Sequence, residues 1–171
     1  MWERLKRLVR HRWMEDAHRI VDPAMLRRLK ERVAAGEAGH TGEIRVCIEA
    51  GLPNSYLLRP GPVRTIARQR ALTQFGKLRV WDTEHNNGVL IYLLLAERSI
   101  DLVADRGLNA CVTPAEWHAM VGRLSGALRE GRFEDGLATA ITEVSTVLQA
   151  HFPLAPDQAR PNELPDQPTL V

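Results

Sequence analysis

The chain has little of what several common classes of site require. Its 171 residues include two cysteines, Cys47 and Cys111, whose spacing fits neither a zinc site nor a C-x-x-C motif. No Gly-rich phosphate loop and no Ser, His and Asp order of a hydrolase triad stands out either. The sequence therefore argues against a zinc domain, a P-loop enzyme and a disulfide scaffold from an oxidising compartment.

Long apolar runs and aromatic residues are also scarce. The longest apolar run, Val89–Ala96, has eight residues, whereas a membrane-spanning helix needs about 20. The start of the chain has no long apolar core and no cleavage site, so we expect no secretory signal. Aromatic residues make up 5% of the chain without an interleaved basic patch, so we expect no nucleic-acid partner. These absences predict a cytoplasmic protein.

What the chain does have is a basic N-terminal arm. Residues 1–32 carry 10 Lys and Arg against 5 Asp and Glu. Trp2, Leu5 and Leu8 recur at helical spacing between basic residues, which predicts an amphipathic helix within residues 1–19. Such a helix most commonly docks on its own domain. The alternative is contact with a protein partner or with the anionic inner face of a membrane.

Residues 20–152 show the alternating periodicities of a small α/β domain. The segment 89–95 is apolar on both faces, which is typical of a central strand covered by helices on each side. The pattern predicts strands at 43–49, 89–95 and 99–104, and helices at about 22–35, 63–77, 113–131 and 133–151. This order predicts a three-layer α/β/α sandwich around a small mixed sheet. Residues 153–171 hold five of the ten prolines and predict a disordered or extended tail that builds no packed element.

Several ordered motifs in this domain resemble one family. They are Thr41-Gly42-Glu43-Ile44, Asn86-Asn87-Gly88-Val89-Leu90-Ile91, Glu97-Arg98, Gly107-Leu108 and Arg132-Phe133-Glu134-Asp135-Gly136-Leu137. Together they resemble the TPM domain family, which includes thylakoid photosystem II repair proteins and many bacterial membrane-associated proteins. The resemblance covers about residues 20–152. The chain departs from the family pattern at residues 79–85, where a Gly-rich loop is usual, and at Asp105-Arg106-Gly107, where Gly-x-Gly is usual.

The polar segment before the central strand is the candidate site. A β-hairpin over residues 89–104 should bring the loops 81–88 and 105–113 to one end of the sheet, where Asp82, Glu84 and Asp105 could converge. Carboxylates with Asn carbonyls nearby suit a hard divalent cation such as Ca²⁺ or Mg²⁺. The predicted metal ligands are therefore Asp82, Glu84 and Asp105, and the predicted binding residues are Asn86, Asn87, Arg98 and Arg106.

Three interpretations of this segment stay open. Asn-Asn-Gly is also the chemistry of a tight turn, because Asn tolerates a left-handed backbone. A metal or anion site is the second interpretation and a catalytic site the third. For function, the resemblance implies a binding or assembly module, with or without a divalent metal, that acts with membrane or envelope proteins. The alternative is a metal-dependent phosphatase acting on phosphomonoesters, as proposed for plant members of the family.

Overall fold

The structure is a computed structural model that describes residues 6, 8–11, 17–160 and 162–171. The helices are α1 (Ala17–Ile20), α2 (Pro23–Glu37), α3 (Asn54–Leu57), α4 (Val63–Lys77), α5 (Arg106–Asn109), α6 (Pro114–Arg129) and α7 (Phe133–His151). The strands are β1 (Glu43–Glu49), β2 (Gly88–Leu94), β3 (Ser99–Ala104) and β4 (Thr169–Leu170).

The strands form one mixed sheet in the order β3-β2-β1-β4. β1 runs parallel to β2, with Glu43 opposite Gly88, and β2 runs antiparallel to β3, with Val89 opposite Ala104. β2 is therefore central, and every one of its residues is buried. The two-residue β4 runs parallel to β1 on its other side.

Helices cover both faces of this sheet, because alternate residues of a strand point to opposite faces. Val89, Ile91 and Leu93 belong to a first core cluster, which they share with α2, α6 and α7. Leu90, Tyr92 and Leu94 belong to a second cluster, shared with α3 and α4. The predicted three-layer α/β/α sandwich around a mixed sheet is confirmed.

Local sequence signals account for the ends of the long helices. Asp22 accepts a hydrogen bond from the Met25 N–H at 2.7 Å and caps α2. Thr113 and Glu116 form a capping box at the start of α6. The central strand begins one residue earlier than predicted and ends at Leu94, because Leu95–Glu97 forms a 3-10 turn. None of the helices within the described ranges is long and apolar enough to cross a membrane.

The prediction that the C-terminal tail builds no packed element was wrong. Residues 169 and 170 form a strand of the sheet, and Leu164 is buried in the second core cluster. The Arg45 guanidinium donates to the carbonyls of Pro165 and Gln167 and to Thr169 Oγ1. The prolines prevented helix formation but not extended packing, since an extended chain needs only edge hydrogen bonds and a few anchors.

Candidate functional site

The predicted site lies at the end of the sheet where β1 and β2 begin and β3 ends. The loop 78–87 closes this end, with left-handed backbone at Arg79 (φ 54°) and Asn86 (φ 52°). Thr83 ties the loop together, because its carbonyl accepts from the Asn86 N–H at 3.2 Å and its Oγ1 accepts from the Asn87 N–H at 3.1 Å. These hydrogen bonds hold the backbone of the loop in a closed turn.

Two glycines, Gly88 and Gly107, allow the backbone of this loop to pack directly against neighbouring backbone of the same chain. A Cβ at Gly88 would lie 2.0 Å from the Val80 carbonyl oxygen, and one at Gly107 would lie 2.7 Å from the Asn86 carbonyl oxygen. The Gly107 N–H instead donates to that Asn86 oxygen at 2.9 Å, and Arg106 Nη2 donates to Asn86 Oδ1 at 2.6 Å. The predicted binding residues Asn86 and Arg106 are thus in direct contact.

The three predicted metal ligands are not brought together. Asp82 is exposed and pairs with Arg79 at 2.7 Å, while Glu84 is exposed and its backbone N–H donates to Glu163 Oε2 at 3.0 Å. Asp105 is buried, and its Oδ1 accepts from the Arg106 N–H at 2.7 Å to cap α5. Within the described ranges, no three His, Cys, Asp or Glu side chains are grouped so that they could hold a metal ion.

Asn87 and Asp105 each carry a buried oxygen without a hydrogen-bond partner in the described part of the chain, Asn87 Oδ1 and Asp105 Oδ2. Strand alternation places these side chains on opposite faces of the sheet. Asp105 donates its N–H to the Gly88 carbonyl at 2.9 Å, so Gly88 and Asp105 share one face and Asn87 has the other. The Asn87 side chain there donates to Thr41 Oγ1 at 3.2 Å. A single ion between these two oxygens does not fit this arrangement.

The remaining predicted contact residues lie elsewhere. Arg98 has φ 46° at the far end of β3, and its Nη1 donates to the Arg129 carbonyl at 2.7 Å. Leu8 packs against the second core cluster of its own chain. Trp2 and Leu5 lie outside the described residues.

A buried charge cluster at the same end of the sheet was not predicted. Glu37 and Glu43 are fully buried, and Arg160 of the tail pairs with both carboxylates. Burial raises the pKa of Glu37 to about 8 and also raises the pKa of Glu43. His40 is buried nearby, where burial lowers its pKa to about 4. Glu37 at the end of a helix looks like a solvated residue, and the partner more than a hundred residues away gives no local signal.

A second buried polar cluster lies inside the sandwich. Arg70 of α4 holds the Glu49 carboxylate with Nε and Nη2, at 2.9 Å and 2.6 Å. The Tyr92 hydroxyl donates to the same carboxylate at 2.6 Å, and burial raises the pKa of this phenol. Because all three groups satisfy one another, this cluster is a structural network of the core.

A concave surface lies along the outer side of β3. This groove of about 980 Å³ has β3 as its floor, with α4 and α6 as its walls. Arg64, Arg68 and the exposed Leu72 line one wall, while Trp117 and Gly122 line the other. The i, i+4 row of Arg64, Arg68 and Leu72 was the signal in the sequence, and it could have been recognised as one side of a groove.

Comparison with known proteins identifies one matching family and two solved structures with a similar fold. The TPM domain family model (TPM_phosphatase) matches residues 14–147. The NMR structure of the BA42 protein from the psychrophilic bacterium Bizionia argentinensis has a TM-score of 0.70 at 23% identity, over 87% of this chain and 94% of that chain. The NMR structure of the N-terminal domain of a P. gingivalis protein has a TM-score of 0.55 at 21% identity, over 78% and 79%. At these identities the likeness shows the fold. No curated protein matches this chain.

Proposed function

The chain belongs to the TPM domain family, whose model matches residues 14–147, and we propose that it works as a binding and assembly module for a protein partner. The observation that carries this proposal is the groove of about 980 Å³ along β3. Small-molecule and cofactor sites are typically concave and about 300 to 1,000 Å³ in volume, so a groove of this size has room for side chains of a partner. The groove also contains backbone groups of an edge strand, which are a common recognition surface for other chains.

The class of partner is supported by the family and by charge. Because the family that the sequence resembles includes membrane-associated proteins, we expect the partner to be a membrane or envelope protein. We expect this chain to bind it at the cytoplasmic side of the membrane. The basic N-terminal arm would add attraction to an anionic surface. Since Leu8 packs on its own domain, we place partner recognition in the groove, with Trp2 and Leu5 as additional contact candidates.

Filling the groove tests this proposal. A Cβ at Gly122 meets no heavy atom of the described chain within 4 Å, and the same is true at Gly76. Both glycines are exposed helical residues, but Gly122 lines the groove and Gly76 does not. Gly122→Trp should therefore block the groove, and Gly76→Trp is its matched control.

The measurement is a peptide-library selection on the wild-type protein, followed by titration of selected peptides against both variants. We expect peptides that bind the wild type and Gly76→Trp equally and lose binding to Gly122→Trp. If every selected peptide binds Gly122→Trp as well as the wild type, the groove is not the binding surface and the proposal fails.

A divalent cation at the sheet end is a second candidate, favoured by the buried Asp105 Oδ2 without a partner in the described chain. A hard cation such as Ca²⁺ or Mg²⁺ would be held there by Asp105 with backbone carbonyls and water, rather than by Asp82 and Glu84. Bound to the folded state at 100 times its Kd, it would add about 2.7 kcal/mol, or roughly 5 to 11 °C in Tm.

Thermal unfolding in EDTA and then with Ca²⁺, Mg²⁺ or Mn²⁺ tests this site. We expect a rise that Asp105→Asn removes and Asp82→Asn keeps. An equal rise in wild type and Asp105→Asn would exclude Asp105 as a ligand. Metal-dependent hydrolysis of a phosphomonoester, lost in Asp105→Asn, would be needed to support the phosphatase alternative.

A further inference from the structure

The outer side of β3 presents backbone hydrogen-bonding groups to the groove. Arg68 Nη1 donates to the Leu102 carbonyl at 2.5 Å, and Asn109 Nδ2 donates to the Ala104 carbonyl at 3.0 Å. These carbonyls therefore point away from β2, and Ile100 shares their orientation because alternate strand residues do. In contrast, Asp105 points inward and donates its N–H to the Gly88 carbonyl.

No described strand pairs with this outer side, since β3 ends the sheet order. The contact from Arg68 satisfies one carbonyl with a side chain, which is a common way to protect a sheet edge. An incoming backbone N–H could replace that guanidinium at the Leu102 carbonyl. Arg68 would then be released to bind a side chain of the incoming segment.

The charges around the groove favour an acidic segment. Four arginines line it (Arg64, Arg68, Arg98 and Arg129), against the two carboxylates Glu97 and Asp101. Glu97 is already held by Arg10 and by His11, and Asp101 lies 3.7 Å from Arg68. Arg64 also attracts Asp101 electrostatically, whereas Arg98 and Arg129 have no ion pair within the described ranges. The surplus is positive, so a carboxylate-bearing guest is electrostatically complementary.

The shape favours a single extended chain over a second copy of the protein. The edge strand lies between the walls formed by α4 and α6. A second copy adding its own β3 would also bring its own pair of helix walls and four further arginines. One strand, at about 4.8 Å from its neighbour, needs only the space beside β3.

We propose that the groove binds an extended, acidic segment of a partner protein, which adds to β3 as a fifth strand of the sheet. The proposal rests on the proposed binding function and names the chemistry of its partner. The guest pairs with the backbone of Ile100, Leu102 and Ala104. Its acidic side chains meet Arg64, Arg68 and Arg129.

The test uses the full chain and three synthetic peptides: alternating Glu and Val, alternating Lys and Val, and the Glu peptide with every second backbone amide N-methylated. Binding is followed by fluorescence anisotropy of labelled peptide and by amide NMR shifts. Arg64→Glu/Arg129→Glu is compared with Arg27→Glu/Arg32→Glu, which changes charge equally at exposed positions outside the groove.

We expect the Glu peptide to bind, with amide shifts centred on Ile100, Leu102 and Ala104. Arg64→Glu/Arg129→Glu should raise its Kd by about tenfold or more, and the control pair should raise it far less. The Lys peptide and the N-methylated peptide should bind weakly.

Equal binding of the Lys peptide would refute an acidic partner, and undiminished binding of the N-methylated peptide would refute strand addition. If Gly122→Trp still blocks library peptides, either result overturns strand addition by an acidic segment but leaves the proposed binding function standing. If Gly122→Trp blocks none, the binding function fails as well. A Glu peptide that does not bind, or that shifts amides outside β3, also overturns the inference.

Discussion

At the scale of single residues, the pair Glu37 and Glu43 has the clearest physical consequence. Both carboxylates are fully buried and share one guanidinium, that of Arg160. Glu37 Oε1 also accepts from the Ile44 N–H at 2.6 Å. Burial opposes ionisation more strongly than these partners favour it, and the pKa of Glu37 rises to about 8.

The stability of the protein should therefore fall as pH rises from 6.5 to 8. A carboxyl whose pKa is raised on folding binds its proton more tightly in the folded state, so the free energy of unfolding declines between the unfolded and the folded pKa. Below pH 6.5, His40 has the opposite effect, because its pKa falls from 6.5 to about 4 on folding. Between pH 6.5 and 8 we expect a loss of about 1 to 2 kcal/mol, measured by urea unfolding.

Glu37→Gln is the control for this pH dependence, because the amide stays neutral at all of these pH values. The variant should show a flatter profile between pH 6.5 and 8. A wild-type stability that is constant or rises over this range would mean that Glu37 is ionised in the folded protein.

Residue-scale features were predictable when their cause was local. The caps at Asp22 and Thr113 follow from the short-range chemistry of their own side chains. The convergence of Asp82, Glu84 and Asp105 did not follow, because Asp82 pairs with Arg79 and Asp105 caps a short helix that the sequence did not suggest. Proximity in the chain limits where side chains can lie, but local partners decide where they point.

At the scale of elements, the C-terminal tail is held in place by long-range contacts and has no periodic pattern of apolar residues. β4 has only two residues, and its hydrogen bonds alone cannot hold it. Arg160 anchors the tail to Glu37 and Glu43, and the Leu164 N–H donates to Glu43 Oε2 at 3.1 Å. Each anchor uses a residue whose partner lies more than a hundred positions earlier, so no pattern within the tail could reveal it.

Arg160→Ala should destabilise the fold strongly above pH 8, where Glu37 is ionised, because it leaves two buried carboxylates without their cation. Removing one member of a buried ion pair typically costs about 3 to 5 kcal/mol. Arg132→Ala is the matched control, since Arg132 makes exposed pairs with Glu130 and Asp135, and it should leave the urea midpoint nearly unchanged.

Adding Glu37→Gln and Glu43→Gln to Arg160→Ala should restore part of the lost stability, because the buried groups are then neutral. Comparing this triple variant with Arg160→Ala assigns the loss to charge rather than to packing. Equal urea midpoints for Arg160→Ala and Arg132→Ala would show that the cluster contributes nothing to tail docking.

At the scale of the whole molecule, the layered fold and the TPM family were predictable and the groove along β3 was not. The segment 89–95 is apolar on both faces, which required a covered central strand. The groove depends on how far α4 and α6 stand from the edge of β3, and periodicity has no information on that distance. The sheet order determines which strand is at the edge, and only tertiary structure gives it here.

The position of β2 predicts that the two faces of the sandwich unfold together. Leu90 packs in the second core cluster and Leu93 in the first, and both are fully buried. Leu90→Ala and Leu93→Ala should each cost about 2 to 5 kcal/mol. Both variants should still unfold in one transition, with far-UV circular dichroism and tryptophan fluorescence coincident in urea. Transitions that separate in Leu90→Ala would mean that the face covered by α3 and α4 melts alone. Because both faces share the backbone of one central strand, loss of either cluster removes the support of the other.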